Sequence, residues 1–239
     1  MNMHMKEQIL EKSKNMKMKE KNFEYLLGGL LILILSVAIA QEEGIRGESR
    51  QLFIMPTLCI MLLMGVWSLV SAKKLLIIGG IIAAIGVANA TINFFLDMPG
   101  LELVNIVIML VFSLASTWIA SRHLVLSGEI DINKIIGAIC IYILLGLNWA
   151  ICYLFISMAI PDSFHGLTST PIGTQLGEFM YYSFVTMTTL GYGDLTPVKP
   201  LARTVAYLQA VVGQFYVAVL VAWLVGMYLS GKDQNSQKP

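Results

Sequence analysis

The sequence predicts an all-α membrane protein of six transmembrane helices, with a short reentrant helix between the fifth and the sixth. Three observations carry this expectation. Of 239 residues, 56% are hydrophobic and 13% charged, where an average soluble domain is roughly one-quarter charged. Six apolar segments approach or reach the roughly 20 residues that cross a bilayer: 23–40, 52–70, 75–96, 101–120, 135–160 and 202–229. A seventh apolar run, 179–190, is too short to span, so it must enter the membrane and turn back, or lie on its surface.

Residues 1–22 precede the first segment as a charged tail, with Lys6, Lys12, Lys14, Lys17, Lys19 and Lys21. Cytoplasmic loops retain positive charge. Lys73 and Lys74, Arg122 and Lys134, and Lys232 and Lys238 fall on the same side as that tail. The opposite side holds Arg46, Arg50, Lys199 and Arg203 among most of the loop acids. Both termini are therefore expected in the cytoplasm, and the 161–201 connection outside. Ala38-Ile39-Ala40 resembles a small-residue cleavage site, but the preceding apolar run is full length and its tail carries both signs of charge, so an uncleaved first span is expected.

Residues 23–120 read as a four-helix membrane domain without a recognisable motif. Its fourth span, LELVNIVIMLVFSLASTWIA, contains no Arg or Lys. One charge crossing the field is worth about 2.3 kcal/mol per 100 mV, so this span offers a voltage almost nothing to act on. Asn89, Asn93 and Asn105 are expected to bond other helices, and Pro56 to kink the second span. Residues 121–134 form a cytoplasmic linker, whose stretch HLVLSGEIDINK is short and amphipathic enough to lie at the interface; His123 is expected at the surface. Cys59, Cys140 and Cys152 lie in apolar runs and are expected to pack there as small hydrophobes without a disulfide. Net charge of +1 makes no case for a nucleic-acid partner, and no nucleophile elbow, phosphate loop or metal-ligand spacing suggests an enzyme.

Residues 135–230 hold the informative stretch, TMTTLGYGDLTP from Thr186 to Pro197. Non-helical backbone at membrane depth is tolerated only where it is buried in protein or lines a cavity. Gly191 and Gly193 alternate with Tyr192, and glycine enters left-handed backbone without steric cost. Alternating right- and left-handed residues turn successive carbonyls to one side, making a ladder of hard oxygen ligands for a hard cation.

Thr189-Leu190-Gly191-Tyr192-Gly193-Asp194, preceded by Thr186-Met187-Thr188, resembles the signature of the potassium channel superfamily, with leucine where valine is commonest. The resemblance covers about 135–229 and implies an outer helix, a turret, a pore helix at 178–188, a K+ selectivity filter of Thr189, Leu190, Gly191, Tyr192 and Gly193, and an inner helix. It implies filter support from Thr188 and Asp194, and from Tyr181 and Tyr182, where the family often has two tryptophans that bond the filter tyrosine and aspartate. Val185 stands where one bacterial subgroup has a glutamate paired with that aspartate, so Asp194 is expected to lack that partner. Gly213 lies 20 residues after Gly193, at the family's hinge spacing, and the Pro-x-Pro of many voltage-gated relatives is absent. A ring of carbonyls needs four chains, so a homotetramer in the plasma membrane is implied, with potassium ions and the lipid bilayer as partners and no cofactor beyond the permeant K+. The short tail 231–239 suggests no soluble ligand-binding domain. A poorly selective cation channel and a non-conducting membrane interaction protein are the alternative readings.

Overall fold

Proline at a first helical position has no N–H to leave unpaired and a backbone angle already suited to the helix. Pro99 and Pro200 both open helices in this way. The computed structural model describes residues 22–41, 99–126, 132–168 and 172–236, with isolated helical positions at 77, 80, 81, 84, 85, 88 and 92. The helices are α1 (Asn22–Gln41), α2 (Pro99–Leu126), α3 (Ile132–Ala159), α4 (Ile172–Met187) and α5 (Pro200–Ser236). Strands β1 (Phe164–His165) and β2 (Thr196–Pro197) pair antiparallel, Phe164 opposite Pro197 and His165 opposite Thr196. The sequence reading had no strand; this pair is two residues long on each side and joins the turn after α3 to the turn before α5.

Among the described residues three stretches are long and apolar enough to cross a membrane, Leu103–Arg122, Asn133–Ala159 and Pro200–Leu220, and Phe23–Ile39 is a shorter apolar helix. The segments expected at 52–70 and 75–96, with Pro56, Cys59, Asn89 and Asn93, lie outside the described residues apart from the isolated helical positions given above. So do the linker residues 127–131 and the His123 side chain, while α2 and α3 extend over the linker's two ends.

Between apolar helices in lipid the hydrophobic effect gives no drive, and close van der Waals packing with a few hydrogen bonds holds them together. Helix α3 is the centre of this packing and touches α1, α2, α4 and α5. On the α1 side, Gly137 lies against the Phe23 ring, where an added methyl would come to 3.0 Å, and the free thiol of Cys140 donates to the Phe23 carbonyl. On the α2 side, Asn148 Nδ2 donates to Thr117 Oγ1 at 2.8 Å. Ser116, Thr117 and Ser121 donate to carbonyls four residues earlier, so their hydroxyls are satisfied inside α2 itself. Asn105 is buried on the same helix.

Helix α5 runs antiparallel to α3. Tyr153 meets Gln209, the Tyr216 hydroxyl donates to the Ala138 carbonyl at 2.6 Å, and Lys134 Nζ sits 6.0 Å from the Trp223 ring. Helix α4 fills the wedge between them. Leu176, Phe179, Met180, Ser183 and Met187 are buried at the spacing of one helical face. That stripe carries the helix back to Ile172 and ends it at Met187, correcting the expected 178–188: Leu176 continues the buried face past the apparent end of the apolar run.

Phe164 anchors the turn after α3 in an aromatic cluster. Its ring lies edge-on to Phe179 at 4.9 Å, Tyr153 at 5.6 Å and Tyr182 at 5.8 Å, arrangements favoured by the ring quadrupole. Phe164→Ala should destabilise the detergent-solubilised protein by about 3–5 kcal/mol, read as a lowered denaturation midpoint. An unchanged midpoint would mean that the cluster does not hold the turn to the helices.

Candidate functional site

Helix α4 stops because its last turn is rewired. The Val185 carbonyl accepts the N–H of Leu190 at 3.0 Å and that of Gly191 at 3.3 Å, and Thr189 N–H bonds the Thr186 carbonyl. Thr188 closes the turn by donating both its N–H and its hydroxyl to the Phe184 carbonyl. Beyond this point the chain leaves the helix as an exposed segment.

The backbone angles of that segment alternate. Thr189 has φ +62°, Gly191 +56° and Gly193 +82°, while Leu190 and Tyr192 have negative φ. The glycines adopt the left-handed conformation expected of them, and Thr189 adds a third such residue. A β-carbon there is uncommon and strained. Sequence reasoning assigned Thr189 only a ligand role; a threonine carries no conformational signal of this kind.

Among the described residues, no hydrogen bond is accepted by the carbonyls of Thr189, Leu190, Gly191, Tyr192 or Gly193. Leu190 and Tyr192 expose 59% and 66% of their surface, and nothing in the chain lies within 4 Å of where side chains on Gly191 and Gly193 would begin. The segment therefore presents bare backbone on an open face. No group of three or more His, Cys, Asp or Glu gathers among the described residues. Leu190 and Tyr192, with negative φ, separate the three left-handed positions, so the backbone alternates in hand along the segment.

Both ends of the segment are held. At the outer end the Tyr181 hydroxyl donates to Asp194 Oδ2 at 2.7 Å, and the Tyr181 ring stacks on Tyr192, 6.4 Å between centroids and 5° from parallel. Asp194 thus lacks a glutamate at position 185, where Val185 is buried, yet it has a partner in Tyr181. Tyr182 is buried in the aromatic cluster, against Tyr153 and Phe164. The turn after α3 grips the same end. Gly166, with φ +94°, passes so close to the Asp194 carbonyl that any side chain would collide with it, and Val198 N–H bonds the Ser163 carbonyl at 2.8 Å. Thr168 binds both carboxylate oxygens of Glu178 through its N–H and hydroxyl. This strap carried no motif in the sequence.

At the inner end Gly213 is buried on an unbroken α5, and a methyl there would stand 2.7 Å from the Met187 carbonyl and 2.8 Å from Met187 Cγ. Its missing side chain is what lets α5 cross the end of α4. The Tyr142 hydroxyl also donates to the Met187 carbonyl, at 3.3 Å.

The bond from Tyr181 holds the Asp194 carboxyl below its ordinary value of 3.8, and the same bond pushes the Tyr181 hydroxyl up to about 12. With the aspartate lowered in the folded state, the pair's contribution to stability is fully present above the ordinary carboxylate value and fades as pH falls through the lowered one. Tyr181→Phe should therefore raise the Asp194 midpoint toward 3.8 in a carboxyl-carbon NMR titration of the membrane-embedded protein. An unmoved midpoint would show that the phenol does not hold the carboxylate.

Residues 138–229, about two-fifths of the chain, match the family described as Ion channel. No curated protein and no solved structure matches the chain. The matched stretch takes in most of α3, the whole of α4, the open segment and most of α5. Through these elements the chain is related to the ion channels of the potassium channel superfamily.

Proposed function

We propose that this membrane protein is a potassium-selective channel in which four copies close the open segments into one filter. The observation that carries the reading is the row of carbonyls from Thr189 to Gly193, without hydrogen-bond donors among the described residues and set on a backbone that alternates in hand. A potassium ion entering such a ring exchanges its water for carbonyl oxygens. Thr189 adds its hydroxyl at the cavity side, and Leu190, Gly191 and Tyr192 supply carbonyls above it. One chain offers one row, so the ring needs four. The exposed face of α5, with Tyr207, Leu208, Val211 and Phe215, is where a neighbouring copy packs.

Helix α4 ends at Met187, just before the segment. The negative end of its dipole faces the cavity and favours a cation waiting below the filter. In this reading the chain crosses the plasma membrane six times, with both termini in the cytoplasm and α4 as the reentrant pore helix. The span Leu103–Arg122 has its one basic residue, Arg122, at its end, which supports a gate that does not depend on a conventional voltage sensor. Gly213 is the bend point of the inner helix. Its contact with Met187 means that bending there also moves the end of the pore helix.

Reconstituted protein in a planar bilayer with opposed K+ and Na+ gradients tests the reading. The current should reverse near the potassium equilibrium potential. Reversal near zero would identify a poorly selective cation channel, and no current from assembled protein would favour a non-conducting membrane protein.

A further inference from the structure

Gln209 places a primary amide in the middle of an apolar spanning helix, and it is completely buried. A polar group in that setting must find its partners inside the protein. Its Oε1 accepts the Tyr153 hydroxyl of α3, and its Nε2 donates to both the carbonyl and the hydroxyl oxygen of Ser183 on α4, at 2.9 and 2.7 Å. The Ser183 hydroxyl passes the chain on, donating to the Gly146 carbonyl of α3 at 2.6 Å. Tyr153 and Ser183 are as fully buried as Gln209. Gly146 permits this approach, since a side chain there would run into the Phe184 ring. One amide thus ties α3, α4 and α5 together at a single level.

That level matters because Ser183 lies one turn before the end of α4. Two residues further on, the Val185 carbonyl receives the N–H groups of Leu190 and Gly191. A slide or rotation of α4 at Ser183 therefore displaces the start of the open segment directly. Apolar contacts in the wedge tolerate such a slide, whereas hydrogen bonds weaken steeply when misaligned. Interhelical hydrogen bonds add little to the stability of a membrane helix bundle, so the network's main effect is on register.

We propose that Gln209 is a positioning residue for ion selection: bonded to Tyr153 and Ser183, it sets the height and rotation of α4 and so the spacing of the carbonyls from Thr189 to Gly193. This inference rests on the reading of the chain as a potassium-selective channel. Neither Gln209 nor Tyr153 touches the permeating ion.

The test compares the full-length parent, Gln209→Leu, Tyr153→Phe and the double variant, measuring the K+/Na+ permeability ratio in bilayers and the complex mass in detergent. Gln209→Leu should lower the ratio roughly tenfold and Tyr153→Phe about threefold, in keeping with the loss of buried hydrogen bonds, with the complex mass unchanged. Because the two residues act through one chain of bonds, the double variant should be no less selective than Gln209→Leu. A parent that does not discriminate between the ions would sink the potassium-selective reading itself. A selective parent with equally selective single variants, or losses that add in the double variant, would overturn the role of Gln209. Should Gln209→Leu fail to assemble, the near-isosteric Tyr153→Phe decides alone, and a parent-like ratio in it would overturn the proposal.

Discussion

A carbonyl oxygen without a donor is among the least tolerable groups to hold at membrane depth, because no water is there to replace the missing bond. Thr189 to Gly193 line up five of them, with no donor among the described residues. The rest of the site can be understood as the means of keeping that row in place until something else satisfies it. On the proposed reading the complement is a hard cation stripped of water, whose hydration shell is itself a cage of oxygens. The alternating hand at Thr189, Gly191 and Gly193 is what keeps the segment from folding its carbonyls back into helix or strand.

Holding bare backbone open requires a rigid frame, and the packing supplies one at two levels. The outer level consists of the Tyr181 bond to Asp194, the ring of Tyr181 against Tyr192, and the strap that passes Gly166 beneath the Asp194 carbonyl. The inner level consists of the Val185 carbonyl, the Gly213 contact with Met187 and the buried amide of Gln209. Phe164, Tyr153, Phe179 and Tyr182 join the two levels with interlocked rings. Glycine appears in this frame where a side chain would collide, with the Phe184 ring at Gly146 and with neighbouring backbone at Gly166 and Gly213, whereas Gly191 and Gly193 have open space and a left-handed backbone.

The segment was legible in the sequence because its chemistry is local: Gly191, Tyr192, Gly193 and Asp194 announce an unusual backbone by residue type and order. Helices α2, α3 and α5 were legible from apolar length alone. What escaped was non-local. Helix α4 reaches back to Ile172 because Leu176 packs on neighbouring helices, a reason invisible beside Gly173, Thr174, Gln175 and Gly177. The pairing of Phe164 with Pro197 joins residues far apart in the chain and too few to show a strand pattern. Tyr181 and Tyr182 were both expected beside the segment by resemblance; Tyr181 bonds Asp194 and stacks on Tyr192, and Tyr182 lies in the ring cluster. Gln209 and Asn148 were signals passed over: an amide inside an apolar run asks for partners, though nothing in the sequence says that they are Tyr153 and Ser183 for Gln209 and Thr117 for Asn148. The 52–70 segment has no described residues and the 75–96 segment only isolated helical positions, so of the four helices expected in the front half only α1 and α2 are described.

The central claim is that four copies share carbonyl ligands around a potassium ion, and the most direct measurement is the thermal dissociation of the purified complex in solutions that differ only in the cation. A ligand that binds the assembled state alone raises its apparent stability by mass action. The account predicts a complex of four chains that survives to a higher temperature in K+ than in Na+, with that difference abolished by Gly191→Ala. A complex of another size, or one whose dissociation temperature is the same in both ions, would contradict it.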